Sequence, residues 1–138
     1  MRPLAFLLAG VLLGSFATPV YAVDLTKTLV VETDSDKTSK DIDVKFELQK
    51  ASWAGENLVL YGKVTNETAK DYNYVEVIIT AYDKEGNFIT RTTTGIYPEV
   101  LGSKKVGYLD ADYIETGDLL PSRLTLKFVG ETVEGNDL

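Results

Sequence analysis

An all-β domain, a sandwich or barrel of short antiparallel strands, follows from three features of this sequence. Apolar and polar residues alternate with a period of two over several short runs, the mark of half-buried strands. Clusters of Gly, Asn and Asp separate those runs as turn signals. After the N-terminal segment, no stretch sustains a 3.6-residue apolar period, so no amphipathic helix is predicted.

The N-terminal segment stands apart from that domain. Met1, Arg2 and Pro3 form a short n-region with one positive charge, and residues 4–16 form an apolar h-region of 13 residues. Residues 17–22 form a c-region, with Val20 and Ala22 at −3 and −1. This is the layout of a cleaved signal peptide, 1–22, with Val23 as the mature N-terminus. Thirteen apolar residues fall short of the about 20 that span a bilayer, which argues against an anchor. Later apolar runs are interrupted by polar residues, so no integral membrane span is expected after cleavage.

Removing 22 of 138 residues leaves 116, and losing Arg2 takes the net charge from −7 to −8. So acidic a chain repels phosphate backbones and anionic lipid, and nucleic acid is not an expected partner. The sequence has no cysteine. An exported domain without disulfides must rely on its core, which a chain of this size can supply. Export without cysteine points to a periplasmic or extracellular place in a bacterial envelope.

Residues 23–40 read as an N-terminal arm or linker, with weak β character near Leu29, Val30 and Val31 and then the polar run ETDSDKTSK. The regular domain is expected over 41–130. Ile42, Val44, Phe46 and Leu48 alternate with polar residues as its first strand. Residues 53–57 read as a turn. Leu58, Leu60, Gly62 and Val64 line one face of the next strand. Residues 66–73 read as a loop, after which Val75, Val77, Ile79 and Ala81 form an inner face. Asp83 to Asn87 is a hairpin connection in which Gly86 is free to take positive φ. A threonine-rich strand over 88–94 follows, because β-branched side chains suit a pleated surface. Residues 95–103 are irregular, 104–113 form a further strand, and Leu124, Leu126 and Phe128 mark the last one. Residues 131–138 read as a polar tail. The expected core is Ile42, Val44, Phe46, Leu58, Leu60, Val64, Val75, Val77, Ile79, Leu124, Leu126 and Phe128.

The chemistry that is missing narrows function. Beyond Met1 the chain has no Met, and it has no His and no Cys anywhere. That removes Ser–His–Asp and Cys–His catalysis and the soft-ligand metal sites. Neither a Ser-x-x-Lys signature nor a Gly-rich phosphate loop occurs. No enzyme and no cofactor are expected. The D-x-D pairs Asp34/Asp36 and Asp110/Asp112 could offer oxygens to calcium, with Asp118 nearby in sequence. They lack the glycine and distal glutamate of an EF-hand loop, and solvated surface is the plainer reading. Asn66-Glu67-Thr68 is a glycosylation sequon, and also a turn asparagine closing a strand. Trp53 and the eight tyrosines are candidate contact residues, or cross-strand packing.

Residues 62–89 read GKVTNETAKDYNYVEVIITAYDKEGNFI. This stretch resembles the small β-sandwich modules of bacterial and archaeal envelope proteins named for an FxLYD motif. Gly62, Val64 and Asn66 match the end of one strand of that pattern, and Tyr82, Asp83 and Gly86 match its Tyr-Asp and glycine turn. The motif's Phe and Leu fall on Ile79 and Ala81, which agree only in apolar character and parity. The resemblance implies an immunoglobulin-like antiparallel sandwich of about seven strands without an active site. Gly62, Asn66, Tyr82, Asp83 and Gly86 then read as structural. The function expected is a binding or assembly module that presents a β surface or edge strand to a protein partner or to its own copy. The alternative is a small-ligand or calcium-binding protein using carboxylates and tyrosines.

Overall fold

The computed structural model describes residues 22–34 and 41–133, apart from the side chain of Asp112. Most of the expected signal segment, part of the expected linker and the last five residues of the expected tail lie outside the described residues. The described chain is all-β, with eight strands: β1 (Val23–Asp24), β2 (Val30–Thr33), β3 (Lys45–Ala54), β4 (Asn57–Thr65), β5 (Asp71–Tyr82), β6 (Phe88–Gly95), β7 (Val106–Glu115) and β8 (Arg123–Val133). They form two four-stranded sheets in a sandwich, ordered β1-β3-β4-β7 and β2-β8-β5-β6. Every pairing is antiparallel except β2 with β8, which is parallel.

Alternation puts the core between the sheets. Ten of the twelve expected core residues are buried; Val44 and Phe46 are partly buried and pack against the rest. The core also takes Leu101, Leu109, Ala111 and Ile114, from segments whose alternation is less regular.

Four expectations are corrected. The segment read as an arm contributes β1 to one sheet and β2 to the other. Between them a tight turn, Leu29 N–H to Leu25 O at 2.9 Å, carries the chain across the sandwich and buries both leucines. Trp53 belongs to β3 rather than to a turn, because a bulge between Leu48 and Lys50 shifts the alternation and turns Ala51 inward. The loop expected over 66–73 is shorter, since Asp71, Tyr72 and Asn73 already pair with β8. Their partners are Val133, Thr132 and Glu131, so the first residues read as tail extend β8. Tyr74, at φ 52°, sits in the bulge between Asn73 and Glu76 that breaks the period there.

Candidate functional site

The residues of the 62–89 stretch serve the frame. Gly62 lies on the inner face of β4, between Leu48 and Leu109, and a Cβ there would overlap the Phe46 ring. Asn66 is fully buried. Its side-chain amide donates to Lys70 O (2.7 Å) and Leu101 O (3.0 Å), and its Oδ1 accepts from Thr68 N (3.0 Å) and Thr68 Oγ1 (2.7 Å). Its backbone joins Lys104 and Lys105. The sequon asparagine is therefore a clamp between two loops, with no free N–H to carry a glycan.

Tyr82 ends β5 opposite Phe88 and Arg123, and the Arg123 guanidinium lies 4.2 Å from its ring centroid. Asp83 Oδ1 accepts from Asn87 N (2.8 Å) and Glu85 N (2.9 Å). The Asn87 N–H above all, with the Glu85 amide and the Asn87 side chain, holds the Asp83 carboxyl below its ordinary pKa. Gly86 closes the loop at φ 86°.

Of the carboxylates considered for calcium, Asp36 and the side chain of Asp112 lie outside the described residues. Asp110 is exposed on β7 opposite Tyr61, while Asp118 stands in the turn after β7. The strand runs five residues past Asp110, roughly 17 Å at about 3.3 Å per residue. Among the described residues no three acidic side chains gather around a common point.

What the sandwich exposes is decided by its four sheet edges. β1 has two residues and β2 four, too short to template much pairing, and the part of β3 that β1 leaves open, Lys45–Lys50, is interrupted by a bulge and carries two lysines. β7 has ten residues but is guarded three ways. It carries the exposed Asp110, it bulges between Ala111 and Ile114, and Tyr97 bridges Tyr108 through two hydrogen bonds of 2.9 and 2.8 Å.

β6 is different. Its eight residues, FITRTTTG, pair with β5 along one side, and among the described residues none pairs along the other. From Thr90 to Gly95 the register is unbroken. There is no proline, and the one charge, Arg91, donates its Nε–H to Thr80 Oγ1 (3.1 Å). That guanidinium therefore lies back over β5 and buries Thr80 instead of shielding the open backbone. Thr90, Thr92 and Thr94 face inward, opposite Ala81, Ile79 and Val77, and Arg91 and Thr93 face outward. A bulge at Ile89 interrupts the start of the strand, but the six residues from Thr90 to Gly95, without proline or outward lysine, offer a row of backbone donors and acceptors to another strand.

Aromatic side chains flank this side of the sandwich. Tyr97 and Tyr113 are each 79% exposed, and Tyr108 and Phe88 are also exposed. At the hairpin end, Leu119 and Leu120 line a shallow groove of about 340 Å³ with Asp83, Lys84, Glu85 and Ser122. The threonine run was legible as a strand. Its place at an open edge was not, because strand order is set by pairings between distant segments. No family model, curated protein or solved structure matches this chain.

Proposed function

We propose that the chain is a non-enzymatic, exported, immunoglobulin-like β-sandwich module that joins a protein partner by strand addition at β6. The signal-like N-terminus, the missing catalytic residue types and the resemblance of 62–89 to FxLYD modules all support this reading. The observation that carries it is the unshielded run Thr90–Gly95 of β6, beside a guarded β7, two very short edge strands, and a stretch of β3 beyond β1 that is bulged and carries Lys45 and Lys50. In strand addition, main-chain hydrogen bonds supply the affinity.

Adjacent residues of an edge strand point their N–H groups in opposite directions, one into the sheet and one out. Of Thr92→Pro and Thr93→Pro, one therefore removes a ladder bond to β5 and lowers the melting temperature. The other removes only an outward N–H and keeps it. We expect the stable variant to lose capture of the partner retained by the mature wild-type chain from envelope extract. Equal capture by the stable proline variant and the wild type would overturn the reading.

A further inference from the structure

We propose that the strand added to β6 is β6 of a second copy, paired antiparallel about a two-fold axis midway between Thr92 and its own copy. This deepens the reading of β6 as the joining edge and rests on it.

An isologous contact must be self-complementary, since each surface meets itself. A two-fold axis perpendicular to a continuous sheet keeps inward residues inward, so it must lie midway between one residue and its own copy. Centred on Thr92, it pairs Thr92 with its own copy and Thr90 with Thr94 on the core side, and Arg91 with Thr93 on the outer side. The inward row Thr90, Thr92, Thr94 reads the same in both directions. Cross-strand threonine pairs are favourable. Centred on Arg91, the axis would set arginine against arginine, and like charges directly opposite are unfavourable.

The edge is also poorly equipped to read a foreign strand. Specificity in strand addition comes from pockets for alternate side chains. From Thr90 to Thr94 the core-side row is threonine throughout, with Ile89 before it, so register over that run is chosen by the strand's match to itself. The result is one eight-stranded sheet from two four-stranded ones. β7, with Tyr108 and Tyr113, edges the other sheet on the same flank, where β6 and β7 are in contact. Aromatics of this kind are enriched at interfaces.

Both copies are strongly acidic, at −8 each after removal of 1–22. They repel at long range, and salt screens that repulsion. Dimerisation should therefore strengthen as salt is raised, the reverse of an association held by ion pairs.

The absence of native cysteine makes the register directly testable. Directly opposed antiparallel residues have Cα atoms about 4.5–5.5 Å apart, within disulfide reach. Under mild oxidation, Thr92→Cys should form covalent dimer about tenfold more than Thr90→Cys or Thr94→Cys alone, whereas mixing those two variants should restore cross-linking. Light scattering of the uncross-linked wild type should show dimer growing with concentration and salt. A monomer at every concentration, or cross-linking strongest in Thr93→Cys, overturns the proposal. If the monomer still captures a partner that the stable β6 proline variant loses, self-pairing fails while strand addition at β6 stands.

Discussion

Asn66 shows how much one buried side chain can hold. Replacing it with alanine takes a donor from the carbonyls of Lys70 and Leu101, which keep Thr68 Oγ1 and Tyr72 N–H, and leaves the Thr68 amide without its acceptor. Each buried unsatisfied group costs about 1–3 kcal/mol, so Asn66→Ala should lower stability at least that far in chemical denaturation. Expression in a glycosylating host should add no mass at this sequon once the domain folds. Gly86 poses a different case. A Cβ there meets nothing within 4 Å, yet φ is 86°. The cost of Gly86→Val is thus torsional, about 1–2 kcal/mol for an L-residue in the left-handed region. Gly86→Asn should recover most of it, because asparagine tolerates that region. Equal loss in both variants would show that the turn demands more than φ.

Among the elements, β1 and β2 were the least legible. Two and four residues are too few for a period to emerge, and Leu25 and Leu29 sit in a turn rather than in an alternating run. Both are nevertheless buried, at 6% and 7% exposure. Leu29→Ala should cost about 2–5 kcal/mol, the range for emptying a core site. Denaturation midpoints that do not move would mean this segment is an arm after all. β4 lies at the other extreme. Its inward residues Leu58, Leu60, Gly62 and Val64 are all buried, and each was marked by plain alternation. Where bulges interrupt β3 and β5, the period slips by one and the sequence misplaces Trp53 and Tyr72.

The molecule as a whole answers to pH through groups that lock its turns. Asp24 is held below its ordinary pKa by Thr26, through its hydroxyl and its backbone amide. Asp83 is held down chiefly by the Asn87 amide. Carboxyls lowered in the folded state add stability above their unfolded pKa, about 3.9 for Asp, and that stability is lost as pH falls through the folded value. The melting temperature should therefore drop on acidification below about pH 4, and Asp83→Asn should flatten part of that drop. A melting temperature that stays level or rises as the carboxylates protonate would show that relief of the net negative charge outweighs the loss of these contacts. Elsewhere, Asp41 meets Lys127 at 3.1 Å, where the chain touches β8 before crossing to β3.

Local order was open to reading because it depends on neighbours one to four residues apart. Strand alternation, the Asp83–Gly86 turn and most of the core needed nothing more. The all-β class followed from them. The order of strands in each sheet depends on contacts across the whole chain, such as β8 lying beside both β5 and β2. An open edge is a property of that order: β6 is exposed because nothing from a distant segment pairs with it among the described residues. No local pattern distinguishes the threonines of an edge strand from those of a central one. The joining edge proposed here came into view only once the two sheets were assembled.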